Sequence, residues 1–190
     1  PTIAVAEDAY LREGGVAVGV LRHEGGHSIL HGDLRYYLVK VPSTLVDMVK
    51  RGVIPSWTIG PLTHLLFSAI KDFEVSCLLA EAGYVNCQVK MLSRYLVVGG
   101  EEEEMLKHVE KGVRLLTLVN LLKPCIASLP FLDSKPGLRF KVGSVVNKLP
   151  ENVKVAVVRA LKDIRLMRGV ETFKKLDLTV KALKTALEAI

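Results

Sequence analysis

The chain has 190 residues, 49% of them hydrophobic, with a formal net charge of +6 and three cysteines. That hydrophobic content supports a packed core and excludes a disordered chain. An odd cysteine count without any CxxC argues against a disulfide framework and a cysteine zinc knuckle, and suits a reducing cytoplasm. The charge is uneven: residues 101–190 hold seventeen Lys/Arg against eleven Asp/Glu, whereas residues 1–100 balance at nine each. A basic half is suited to an acidic partner or nucleic acid. Spaced among Glu and Asp, the same cations read as an ordinary solvated helix face. Four Asn and one Gln beside abundant Lys, Glu, Val and Leu match the bias of thermophile proteins.

PTIAVAEDAY, at the start of the sequence, carries no basic segment followed by an apolar one, so no secretory leader is expected. Residues 14–32 read as a helix ended by Gly32, weakened by internal glycines at about 1 kcal/mol each. RYYLVKVP, residues 35–42, is β-branched and aromatic and predicts a short strand closed by Pro42. Residues 43–52 predict a helix, and a longer one runs from Pro61 to Gly83. Leu62, Leu66, Ile70, Phe73, Cys77 and Ala80 form its apolar stripe. A further helix is expected over 86–97. Gly99–Gly100 then break the chain, and EEEE at 101–104 opens another helix whose dipole favours those carboxylates.

Residues 113–132 are the most apolar long stretch, but Arg114, Asn120, Lys123 and two prolines interrupt them, so no transmembrane helix is read. Four prolines make 124–150 look irregular, with LRFKVGSVV as a short hairpin or strand. Residues 151–168 and 171–189 predict two amphipathic helices. The expected fold is mainly α with one or two short strands. It divides at Gly99–Gly100 into a metal-binding core, 1–100, and a helical C-terminal subdomain, 101–190.

The chemistry is concentrated in RHEGGHSILHG, residues 22–32. On a helix His23 and His27 share a face, so both imidazoles can reach one ion. Glu24 lies about 100° round the helix, where it can take a proton from water held beside that ion. This is the physical content of the HExxH pattern. His31 sits two turns from His23, about 12 Å along the axis, and reads as a supporting or surface residue rather than a ligand. A third ligand is needed, and Glu74 is the candidate. Ile70, Phe73, Cys77 and Leu78 surround it, and a carboxylate on an apolar face must bind metal or join a buried ion pair. Glu81 is the reserve. Lys71 and Asp72 fall on the side expected to be solvated. Tyr84, His64, Tyr36 and Tyr37 are candidate oxyanion donors. Cys77 and His108 read as a packed thiol and an exposed imidazole. Trp57 is either a cleft wall or a cover over helix ends.

HExxH followed by a glutamate on a later helix resembles the gluzincin group of zinc metallopeptidases. HEGGHSILHG is most similar to the motif of ImmA/IrrE-type peptidases, and DFEVSCLLAEAGY resembles the glutamate-bearing helix of that group and of small archaeal HExxH proteins. The resemblance covers residues 14–84. It implies a zincin-like core, zinc on His23, His27 and Glu74, Glu24 as general base, and a peptide or protein substrate. The competing expectation is a non-catalytic helical interaction protein with a structural or vestigial HExxH site, binding an acidic partner or nucleic acid through its basic half. A third is a metal-dependent hydrolase with a substrate other than a peptide.

Overall fold

A computed structural model describes residues 14–190; the segment PTIAVAEDAY lies outside the described residues. The fold is mainly α. Among the described residues nine α-helices follow one another: α1 (Gly15–His31), α2 (Ser43–Lys50), α3 (Ile59–Glu81), α4 (Val85–Tyr95), α5 (Gly100–His108), α6 (Lys111–Ser128), α7 (Pro136–Asn147), α8 (Glu151–Arg165) and α9 (Thr172–Ala189). Short 3-10 turns precede α2 and α3 and follow α6.

No strand occurs among the described residues, which corrects two sequence expectations. In the first, the Asp33 carboxylate accepts the Arg35 N–H and starts a 3-10 turn over Leu34–Tyr37, and no neighbouring strand is present to pair with the rest. In the second, LRFKVGSVV is helix. Leu138, Val142, Val145 and Val146 are all buried, at the i, i+4, i+7 and i+8 spacing of one helical face. The β-branched residues suggested a strand, but their period is helical. Pro124 does not end α6 either. It removes one N–H, so the carbonyl of Asn120 loses its helical donor while the helix continues.

Helix α3 is the hub, packed by α1, α6 and α9. Its Leu62, Leu66, Phe67, Ala69, Ile70, Phe73, Val75 and Leu79 are buried, so it is covered nearly all round rather than along one stripe. It ends where expected: Gly83 takes φ +80, and the Tyr84 N–H reaches back to the Leu79 carbonyl at 2.9 Å. One hydrophobic cluster runs from Leu45 to Ile190 and takes residues from both sides of Gly99–Gly100. The Glu102 carboxylate accepts the Gly99 N–H at 2.9 Å and caps α5, while Glu103 pairs with Lys148, just past the end of α7, at 2.6 Å. Lys111–Phe131 is long and apolar enough to cross a membrane by length and composition, and its apolar 18-residue window is 61% buried against the rest of the chain.

Two of the α1 glycines are required by packing. A Cβ on Gly19 would lie 2.5 Å from the Cys87 carbonyl oxygen of α4, and one on Gly26 would lie 2.7 Å from Val75 of α3. The buried Gln88 amide donates to the Gly19 carbonyl at 2.8 Å and seals the first of these crossings. Gly25 meets nothing within 4 Å. Gly19→Ala is therefore expected to destabilise the protein by roughly 1–3 kcal/mol through overpacking against backbone. Gly25→Ala is expected to stabilise it by up to about 1 kcal/mol through helix propensity. Urea denaturation of the two variants checks this, and equal effects would contradict the crossing geometry.

Candidate metal centre

Helix α1 presents His23 and His27 one turn apart, and the Gly26–Val75 contact brings α3 against that face. The carboxylate this crossing delivers is Asp72, one turn before Val75. The Nε2 atoms of His23 and His27 lie 3.2 Å apart. Asp72 Oδ1 lies 3.6 Å from the first and 3.2 Å from the second. Two imidazole nitrogens 3.2 Å apart can hold only one proton between them, so three electron-rich atoms converge on a point that suits a cation. Zinc with bonds of 2.0–2.1 Å in tetrahedral geometry would separate its ligand atoms by about 3.3–3.4 Å. The observed triangle fits that edge length, and the donor set of two His and one carboxylate is that of a catalytic centre with a fourth position open.

Asp72 is held well below the ordinary carboxylate range. Burial opposes its ionisation, but the polar contacts of His23 and His27 and the charge of Lys123 outweigh that penalty. Lys123 of α6 lies 3.3 Å from the second oxygen, Oδ2, which leaves Oδ1 to the histidines. The two histidines are not equivalent. His23 Nδ1 is buried without a hydrogen-bond partner among the described residues. His27 Nδ1 lies 3.2 Å from Nδ1 of His31.

Glu74, expected as the third ligand, is not in this group. Its Oε2 lies 2.8 Å from His31 Nε2, and it accepts from the Thr172 hydroxyl of α9 and pairs with the Lys175 ammonium. It therefore occupies the buried ion pair that was the other reading of a carboxylate on an apolar face. The reserve, Glu81, lines the same side of the molecule as Glu74, with Cys77 and Arg168. His31 is buried rather than on the surface, between His27 and Glu74, with the Tyr36 ring edge-on at 5.0 Å.

A cavity of about 370 Å³ opens beside the triangle, lined by His23, Glu24, His27 and Asp72 from one side and by Met91, Tyr95, Asn120 and Lys123 from the other. Glu24 is exposed at its lip. Glu24, His27, Asp72 and Lys123 also border a wider, open hollow of about 1050 Å³ that extends past Ile29, Arg35, Tyr37 and Lys71. Tyr36 and Tyr37 border this hollow, but Tyr84 and His64 line neither space. Tyr84 carries the Arg22 guanidinium 4.2 Å above its ring, and His64 is exposed on α3. His108 is exposed and lies 3.4 Å from Glu104. Trp57 packs against Gly112, away from both spaces.

Asp72, Lys123 and Tyr95 are the functional candidates that sequence reasoning missed. Lys123 left a signal: it is one of two cations, with Arg114, in the most apolar long stretch of the chain, and such a charge needs a partner. Asp72 left a weaker one, since Gly26 between the two histidines marks a place where another helix must come close.

No protein-family model, no curated protein and no solved structure matches the chain.

Proposed function

We propose that the protein is a zinc-dependent hydrolase that cleaves peptide bonds, with His23, His27 and Asp72 holding the metal and Glu24 acting as general base. The observation that carries this reading is the triangle of Nε2, Nε2 and Oδ1, whose edges of 3.2, 3.2 and 3.6 Å match a tetrahedral zinc site. Zinc there supplies a Lewis acid and brings the pKa of water toward neutral. Glu24, at the cavity lip, takes the proton of the attacking water and passes it to the leaving amine. Lys123 and Tyr95 face the same cavity and offer donors to the carbonyl oxygen as it gains charge. The open hollow of about 1050 Å³ that shares Glu24, His27, Asp72 and Lys123 with the cavity leaves room for a substrate that extends beyond the reacting bond, as a peptide does.

The test joins metal content to hydrolysis. Elemental mass spectrometry of the purified protein is expected to find about one zinc per chain, lost in His23→Ala and His27→Ala. Glu24→Gln is expected to keep the zinc and lose roughly 10²–10⁴-fold in peptide hydrolysis, the usual range for a general base. A wild type that takes up no zinc, or a Glu24→Gln variant with full activity, overturns the proposal.

A further inference from the structure

His31, Glu74, Thr172 and Lys175 form a buried polar chain that the proposed reaction does not use. It begins at the unused nitrogen of His27 and ends on the last helix. We infer that His31 and Glu74, pinned by Lys175 and Thr172 of α9, are positioning residues that fix the tautomer and ring orientation of His27 for metal binding. This rests on His27 being a metal ligand.

The proton count leaves one arrangement. His27 turns Nε2 toward Asp72 and His23, so as a ligand it carries its proton on Nδ1. The atom facing that proton is His31 Nδ1, at 3.2 Å, which must then accept. The His31 proton is therefore on Nε2, and it meets Glu74 Oε2 at 2.8 Å, an atom that can only accept. The Nδ1–H of His27 and the Nε2–H of His31 then each have an acceptor. The opposite assignment puts the His27 proton on Nε2, where the metal belongs, and turns a lone pair of His31 onto a carboxylate.

Glu74 is itself immobilised. The Thr172 hydroxyl lies 3.1 and 3.0 Å from its two oxygens, and the Lys175 ammonium pairs with Oε1. His31 and Lys175 are each 3% exposed, so water does not substitute for either end. A metal-ligating histidine commonly donates its second N–H to an outer partner, and removing that partner typically lowers metal affinity 10–100-fold. Here the donation passes through a second histidine before reaching its carboxylate. The last helix of the chain thereby sets the orientation of a ligand on the first described one. His23 has no such partner, so the chain acts on His27 alone.

The test uses the full ¹⁵N-labelled chain with zinc chloride as the only probe. Long-range ¹H–¹⁵N spectra of the imidazoles are expected to show His27 protonated at Nδ1 and His31 protonated at Nε2. In the paired variant Glu74→Leu/Lys175→Met, which removes both charges together, the zinc dissociation constant is expected to rise 10–100-fold by chelator competition. His31 is expected to lose its single tautomer there. A wild-type His31 protonated at Nδ1 overturns the inference, and so does a folded paired variant with unchanged affinity. If the paired variant fails to fold, the wild-type spectrum decides alone. A wild type without zinc uptake overturns the metal-site reading and the positioning role with it. Uptake with unchanged affinity in the variant overturns the positioning role only.

Discussion

On the proposed zinc site, Asp72→Ala is expected to lose the metal. A structural zinc site of four ligands is worth about 10–16 kcal/mol, so one ligand carries roughly 2.5–4 kcal/mol, or about 10²–10³-fold in affinity. The loss is expected at the upper end, because Asp72 is the only carboxylate of the triangle and its charge neutralises part of the ion. Its removal also leaves Lys123 facing the two histidines without its counter-ion. A cation left there repels a second one. The informative control is Glu74→Gln, which is expected to keep about one zinc per chain at saturating metal. Chelator competition and elemental analysis of both variants check the assignment. Zinc retained in Asp72→Ala and lost in Glu74→Gln would return the third ligand to Glu74.

Lys175→Met will destabilise the metal-free protein by about 3–5 kcal/mol, the usual cost of leaving one member of a buried ion pair without the other. Glu74 would keep Thr172 and His31 but lose its only cation on α9. The paired variant Glu74→Leu/Lys175→Met is expected to recover most of that loss, since two apolar side chains can replace a buried pair. Urea denaturation measures both, and a paired variant as unstable as the single one would contradict the account. The pH dependence has a definite sign. Burial raises the Glu74 pKa, but the hydrogen bonds from His31 and Lys175 and the Lys175 charge lower it more, so the folded value lies below the ordinary one. The unfolded chain then binds more protons in acid. The contribution of Glu74 is complete above the unfolded pKa and is lost as pH falls through the folded one.

The helical class, the α1 histidine pair and the capped start of α5 were legible because each depends on local chemistry. His23 and His27 share a face by the period of the helix alone. Glu102 caps Gly99 through three residues of contiguous chain. The expected strands failed where residue preference was weighed above period. Val142, Val145 and Val146 are β-branched, yet their burial follows the helical repeat. Pro124 looked like an end because a proline costs one helical hydrogen bond, but Leu121, Leu122, Cys125 and Ile126 around it are all buried. Packing outweighs that single loss.

The sequence by itself determined that two histidines and a glutamate would stand together on one helix, and that Glu74 needed a partner. Only the tertiary structure decided which carboxylate joins the histidines. Asp72 and Glu74 are two residues apart, about 200° round α3, so they face nearly opposite sides of it. A helix covered nearly all round has no broad solvated face to which either could be assigned beforehand. Their destinations depend on what packs there: α1 and α6 around Asp72, the end of α1 and α9 around Glu74. Those neighbours come from as far as a hundred residues along the chain, and no local pattern in DFEVSC carries their position.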